Sequence, residues 1–99
     1  MKFDTSYELL ADLAGGNFPK KSTDKVKNAL KQTISALEAG QRDPAKVQKL
    51  FDKVTAAAAG AFPDGTDELR DILAADVLYI LEWFEIDLDV EDAVRGLNN

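Results

Sequence analysis

The sequence contains no cysteine and no histidine. Without cysteine the chain can form no disulfide, and it offers no thiolate as a nucleophile or zinc ligand. Without histidine it lacks the commonest general base and metal ligand. The sequence also contains no catalytic motif. We therefore predict that the protein is not an enzyme, has no catalytic residue and no metal site, and uses no cofactor.

Length and composition are those of an ordinary soluble domain. The chain has 99 residues, of which 45% are hydrophobic and 30% are charged, so we predict one domain over residues 1–99. The N-terminal residues include Asp4, Glu8 and Asp12, where a signal peptide would need an unbroken apolar region. We expect a cytoplasmic protein.

The stretch from Thr66 to Glu85 is apolar on nearly every side. One set of apolar residues recurs at spacings of three and four, as on one face of an α-helix: Leu69, Ile72, Leu73, Val77, Ile80 and Phe84. Since a helix that is apolar on several faces must be covered by other elements, we predict that this is the central helix. Charged residues interrupt the stretch and exclude a membrane span, namely Arg70, Asp71, Asp76 and Glu82.

Capping signals predict the helices before this stretch. Residues Thr5 to Glu8 fit a capping box, and Gly15-Gly16 can end the short helix that follows. Ser22 is the predicted cap of a second helix, which carries a regular apolar stripe and ends at Gly40. Asp43-Pro44 predicts the start of a third helix, because a carboxylate can cap it and proline suits the first helical position.

The third helix is predicted to run to Ala59, and a last short helix, capped by Asp89, from about Val90 to Leu97. Together these signals predict an all-α fold. The predicted architecture is a compact bundle of four main helices plus a short C-terminal helix around the central apolar helix.

Asp76 is a carboxylate inside the apolar part of the central helix. A buried charge without a partner is costly, so we expect Asp76 to be hydrogen-bonded or paired. We interpret it as a structural anchor whose partner is a lysine or a backbone amide of the segment from Phe18 to Lys25. The other interpretation, a general acid or a ligand, needs a second titrating group that the sequence does not identify.

Two stretches resemble ligand-binding motifs but fail on spacing. The acidic run from Asp87 to Asp92 suggests calcium, but an EF-hand loop needs a glycine at its sixth position and a glutamate at its twelfth. Counted from Asp87, those positions hold Asp92 and Asn98. Residues Gly15 to Ser22 contain glycines, lysines and a hydroxyl, but they lack the spacing of a phosphate-binding loop.

Charge is divided unevenly along the chain. Residues 1–61 carry 10 basic and 7 acidic side chains, net +3, and residues 62–99 carry 2 basic and 11 acidic ones, net −9. An acidic field of this kind attracts basic partners and argues against nucleic acid or an anionic membrane as the ligand. The other interpretation is solubility alone. The candidate partner-binding residues lie at the C-terminal end of the central helix and beyond it: Glu85, Asp87, Asp89, Glu91 and Asp92.

Two sets of residues resemble the signatures of a family of small bacterial helical proteins classed only as a domain of unknown function. They are Asn17-Phe18-Pro19-Lys20 with Asp24-Lys25-Val26-Lys27 and Leu30, and Ala75-Asp76, Tyr79-Ile80 with Asp89-Val90-Glu91. The chain lacks the glycine that the resemblance leads us to expect near Phe84 and Glu85. The resemblance implies no activity. It implies that four residues belong to one arrangement: Phe18, Pro19, Lys25 and Asp76.

From these features we expect a non-enzymatic, acidic protein-binding module of the bacterial immunity-protein or antitoxin kind, whose C-terminal half docks a basic protein. The alternative is a helical bundle that binds a small molecule or a metal at a carboxylate site near Asp76. Salt distinguishes the two, because binding through an exposed acidic face weakens as ionic strength rises.

Overall fold

The computed structural model describes residues 2–11, 18–62 and 66–97. Within these ranges every regular element is helical. In chain order the elements are α1 (Lys20–Glu38), α2 (Pro44–Ala61), α3 (Thr66–Trp83), α4 (Val90–Ala93) and a 3₁₀ helix (Arg95–Leu97). The all-α fold is confirmed. The predicted count of four main helices and a short fifth is wrong, because the described chain has three main helices and short pieces.

Helices α1 and α2 form a hairpin with one buried apolar stripe on each helix. The buried residues of α1 recur every three or four positions: Val26, Leu30, Thr33, Ile34 and Leu37. The helix begins at Lys20 rather than at the predicted cap Ser22. Pro19 is the N-cap, and its carbonyl accepts the amide of Thr23 at 3.0 Å.

The connection between α1 and α2 uses two local signals that the sequence predicted. Gly40 has a φ of 104°, and the amides of Gly40 and Gln41 donate to the carbonyls of Leu37 and Ala36 at 3.0 and 3.1 Å. These are the two hydrogen bonds of a Schellman motif, which requires a left-handed residue at the position of the glycine. The carboxylate of Asp43 then accepts a hydrogen bond from the amide of Ala45 at 3.0 Å, and so caps α2.

Helix α3 supplies the centre of the core. Four of its residues have no exposed area, namely Leu69, Leu73, Val77 and Ile80, and each contributes roughly 1.5–3 kcal/mol through burial. The helix is not covered on every side as predicted. Leu78 is 45% exposed and Ala75 also faces solvent, because the elements around α3 leave one stripe of it open.

The C-terminal pieces pack across α2. A Cβ atom at Gly96 would overlap the Oγ1 of buried Thr55, so the 3₁₀ helix approaches α2 more closely than any side chain at this position would permit. Arg95 adds an ion pair to Asp52, with its Nη2 atom 2.7 Å from Oδ2. The contact with Arg95 lowers the pKa of the Asp52 carboxyl, and it fastens the 3₁₀ helix to α2.

The N-terminal strap, residues 2–10, forms turns where the first helix was predicted to begin. Ala11 is helical, and the rest of that predicted helix lies outside the described residues. The Asp4 carboxylate accepts the amide and the hydroxyl of Ser6 at 2.9 and 2.6 Å, and the amide of Tyr7 donates to the Asp4 carbonyl at 3.3 Å. This turn takes the place of the predicted capping box, because the Asp4 side chain offers the amide of Ser6 a local acceptor outside a helix. Leu10 has a φ of 55°, which no α-helix tolerates.

Long-range contacts dock the strap onto α1 and α3. The amide of Phe3 donates to the Glu38 carboxylate at 2.7 Å, and the indole N–H of Trp83 donates to the carbonyl of Lys2 at 3.0 Å. The ring centroid of Phe3 lies within 6.0 Å of four others, those of Tyr7, Tyr79, Trp83 and Phe84. The predicted stop at Gly15-Gly16 lies outside the described residues. No helix in the described part of the chain has the length and hydropathy needed to span a bilayer.

Candidate functional site

The acidic segment begins with a reversal of the chain after α3. The amides of Glu85 and Ile86 donate to the carbonyls of Glu82 and Leu81 at 3.2 and 2.8 Å, which is the same Schellman pattern that ends α1. Here the left-handed position is held by Glu85, with a φ of 54°. It lies where the family resemblance leads us to expect a glycine. The motif therefore places an exposed carboxylate in a conformation that disfavours any side chain.

The reversal forms one wall of a concave surface, which we name the Phe84 groove. Its volume is about 480 Å³, and eight residues line it: Arg42, Pro44, Val47, Phe84, Glu85, Ile86, Asp87 and Leu88. Val47 and Phe84 are buried, Ile86 and Leu88 are half-buried, and Glu85 and Asp87 are exposed. The groove thus combines an apolar floor with a carboxylate rim.

Among the residues that the structure describes, Arg42 is the one cation that lines the Phe84 groove, and its guanidinium donates hydrogen bonds to its own chain. Its Nη1 atom donates to the carbonyls of Leu37 and Gln41 at 2.9 and 2.7 Å. Its Cζ atom lies 5.2 Å from the centroid of the Phe84 ring, within the range of a cation–π contact. Arg42 therefore closes the end of α1 and covers part of the Phe84 ring.

The remaining candidate acids lie outside this groove. Asp89 caps α4 through a 3.3 Å hydrogen bond from the amide of Glu91. Glu91 lines a second hollow of about 400 Å³ together with Arg70, Asp71, Ala74, Val90 and Val94. Asp92 is exposed, and its charge helps to raise the pKa of Arg95, after the larger effect of Asp52. The structure thus divides the five predicted residues between the Phe84 groove and the surface around α4.

Most of these acids carry no close cation. In the described ranges, the ion pairs within 4.0 Å are Arg70 with Asp71 at 3.6 Å and Arg95 with Asp52 at 2.7 Å. Neither pair includes Glu85, Asp87 or one of the acids of α4. Their carboxylates face water, which leaves their negative field available to an approaching partner.

Asp76 is 6% exposed and anchors the N-terminal strap. Its Oδ1 atom accepts the hydroxyl of Tyr7 at 2.5 Å, and its Oδ2 atom accepts the amide of Leu10 at 2.6 Å. The second bond holds Leu10 in its left-handed conformation. Tyr79, one turn after Asp76, stacks on Tyr7 at 4.2 Å and donates to Asp4 at 2.7 Å.

The anchor therefore has different partners from those predicted in the segment from Phe18 to Lys25. Phe18 lies edge-on to Phe62, with centroids 5.3 Å apart, Pro19 is an exposed helix cap, and Lys25 is exposed. The spacing of Asp76 and Tyr79 by three residues was the available signal. It places two hydrogen-bonding side chains on adjacent turns of one face, but it does not say which segment lies across from them.

Asp76 offers little to a free ligand. Each of its two oxygens already accepts a hydrogen bond from the strap. Across the residues that the structure describes, no group of three or more aspartate or glutamate side chains is arranged to hold a metal ion. The alternative of a small-molecule or metal site near Asp76 thus has no supporting geometry in these residues.

A family comparison covers nearly the whole chain. The sequence model described as "Family of unknown function (DUF5713)" matches residues 3–98. The chain belongs to this family. The resemblance found in the sequence to a family of unknown function is therefore confirmed. No curated protein and no solved structure matches the chain.

The family match extends from Phe3 in the strap to the residue after the 3₁₀ helix. It therefore includes both the Asp76 anchor and the Phe84 groove. Since the family description names no activity, we infer the function from what these two features can do chemically. The anchor holds the fold together, whereas the groove presents uncommitted apolar and acidic surface.

Proposed function

We propose that this family member is a non-enzymatic binding protein of the bacterial cytoplasm that docks a basic protein through its C-terminal half. The observation that carries the proposal is the Phe84 groove, in which exposed Glu85 and Asp87 lie beside an apolar floor. The candidate contact residues are those five acids: Glu85, Asp87, Asp89, Glu91 and Asp92.

Charge and apolar area have different parts in such an interface. The net charge of −9 over residues 62–99 speeds the encounter with a basic partner and repels nucleic acid and anionic lipid. The affinity comes mainly from a few apolar side chains that become buried at the centre of the interface. The Phe84 groove offers both contributions within one concave surface.

A small acidic protein that covers a basic partner acts by occupying that partner's surface. Immunity proteins and antitoxins that neutralise toxic nucleases are proteins of this kind. The proposal needs no catalytic group, cofactor or metal, and the chain supplies neither cysteine nor histidine for such chemistry. We therefore place this protein in that functional class.

The test begins with affinity capture from source-cell lysate at low ionic strength, followed by identification and purification of the captured protein. Its binding is then measured against salt for three forms of the chain. The first is the parent, the second carries Asp87→Lys and Glu91→Lys, and the third carries Glu8→Lys and Asp24→Lys. Both variants change the net charge equally, but only Asp87→Lys with Glu91→Lys alters the proposed surface.

We expect the affinity of the parent to fall as ionic strength rises, because salt screens exposed charges. We expect Asp87→Lys with Glu91→Lys to abolish binding, and Glu8→Lys with Asp24→Lys to weaken it only slightly. Equal losses in both variants would mean that net charge alone attracts the partner. That result, or an affinity that salt does not change, would contradict the proposal.

A further inference from the structure

The Phe84 groove has a shape and a charge pattern that specify more than a basic partner. Building on the proposed function, we propose that the groove receives one large apolar side chain from a partner segment in which lysine or arginine flanks that side chain. The partner is a protein segment, and the groove is its anchor site.

The floor of the groove is suited to an apolar side chain. Phe84 and Val47 form a fixed base because both belong to the core. Ile86 and Leu88 are only half-buried on the reversing segment, so they still have apolar area to lose to a ligand. A volume of about 480 Å³ is within the range of sites that enclose a small ligand group. It is sufficient for one leucine or aromatic side chain with its backbone.

The rim of the groove is suited to flanking lysine or arginine side chains. Glu85 and Asp87 are two residues apart on the segment that passes over the floor. Cations on both sides of an inserted apolar side chain can therefore reach a carboxylate each. Arg42 forms no ion pair with either carboxylate within 4.0 Å. Its Nη1 atom donates instead to carbonyls of its own chain, and its Cζ atom lies over Phe84.

A second copy of this chain is a poor occupant of the groove. The large apolar side chain exposed in the described part of the surface is Leu78. Glu82 lies one turn after Leu78 and Asp71 lies two turns before Leu78, and both acids are exposed. Insertion of Leu78 into the groove of another copy would bring these acids against Glu85 and Asp87, and like charges oppose that contact. A basic segment meets no such repulsion.

The probes are synthetic heptapeptides that differ only at the centre or at its flanks. One has leucine between two lysines, one has alanine between two lysines, and one has leucine between two aspartates. Each is titrated into ¹⁵N-labelled protein at low salt, and the amide signals of Val47, Ile86 and Leu88 are followed. We expect the first peptide to shift these signals. The alanine peptide should bind roughly tenfold more weakly, since it buries less apolar area.

Three variants examine the rim. Glu85→Gln removes the charge, Glu85→Gly removes the side chain while favouring the left-handed backbone, and Glu82→Gln is a control on the last turn of α3 outside the groove. We expect both Glu85 variants to weaken binding by roughly two- to fivefold at low ionic strength. Glu82→Gln should bind like the parent. Glu85→Gly should also melt at a higher temperature, so that its loss of binding is not a loss of folding.

The outcomes separate this inference from the broader proposal. If the lysine peptides bind in a salt-dependent manner but shift only amides of residues 89–95, the groove is not the anchor site and acidic docking stands. If no lysine peptide binds at millimolar concentration, the groove is not an anchor site for such a segment, whereas acidic docking is decided by the salt and charge-reversal measurements on the captured partner. If the aspartate-flanked peptide binds equally well, or if the same amides shift on concentrating the protein alone, the inferred partner chemistry is wrong.

Discussion

Replacement of Asp76 by alanine should destabilise the protein by about 2–4 kcal/mol. The Asp76 carboxylate accepts the Tyr7 hydroxyl at 2.5 Å and the buried Leu10 amide at 2.6 Å. Hydrogen bonds to a charged group contribute about 1.5–3 kcal/mol each, and a buried donor left without an acceptor costs about 1–3 kcal/mol. Part of this is offset, because removal of the carboxylate also removes its desolvation cost.

Two further substitutions separate the contributions of the two hydrogen bonds to stability. Asp76→Asn should lose less, because its amide oxygen can accept from Leu10 while its NH₂ group donates to the Tyr7 oxygen. Tyr7→Phe removes only the hydroxyl bond and should cost about 1 kcal/mol. Glu8→Ala is the matched control, since Glu8 is exposed on the same strap, and it should change stability by less than about 0.5 kcal/mol.

The assay is urea unfolding followed by circular dichroism, with amide hydrogen exchange at Leu10 as the local readout. For a domain of this size the alanine variant should melt roughly 10–20 °C below the parent. Relative to the parent, its Leu10 amide should also show a larger increase in hydrogen exchange rate than the amides of α1 and α2. If Asp76→Ala unfolds at the same urea concentration as the parent, these hydrogen bonds do not hold the strap and the reasoning fails.

Five other substitutions have clear signs. Glu85→Gly should raise the free energy of unfolding by about 0.5–1 kcal/mol, whereas Gly40→Ala at the matching position of α1 should lower it by about 1 kcal/mol; chemical denaturation compares them directly. Gly96→Ala should cost about 1–3 kcal/mol because its Cβ would overlap the threonine beneath it. At Gly60 an added Cβ would have no neighbour within 4 Å, so Gly60→Ala should raise the free energy of unfolding by about 0.5–1 kcal/mol. The Ser6 hydroxyl and then Tyr79 lower the pKa of Asp4. The ionised Asp4 carboxylate therefore stabilises the fold above the unfolded pKa, and this stabilisation is lost as pH falls through the lower folded pKa. The stability of Asp4→Asn should therefore fall less than that of the parent between about pH 5 and about pH 2.

Local signals were sufficient for several helix boundaries. Asp43-Pro44 marks the start of α2 and Asp89 caps α4, as predicted, because a cap depends on donors within two or three residues. Helix α3 begins at Thr66 as predicted and ends at Trp83, two residues early. The last helix is shorter than predicted, since α4 gives way to a 3₁₀ turn where the chain crosses α2 at Gly96.

The strap and the groove depend on contacts that no local pattern contains. The segment after Thr5 has a helix-starting pattern, but Asp4 takes its amides and Asp76 takes the Leu10 amide from 66 residues away. The acids of the groove were identified from the sequence. Their position opposite Arg42 and Val47 was not, because it depends on how the reversal at the end of α3 meets the α1–α2 connection.

Trp83 is the sole tryptophan of the chain, and it lies where the N-terminal strap docks. Its indole N–H donates to Lys2, and its ring lies 5.7 Å from Phe3 and 6.1 Å from Tyr79. Local opening of a segment can precede global unfolding. If the strap detaches from an intact bundle, the indole loses a hydrogen bond and an apolar neighbour, and its emission shifts to longer wavelength while the helical signal is unchanged. The protein thus contains its own fluorescent reporter of strap opening, and no label is needed to measure how often that segment leaves α3.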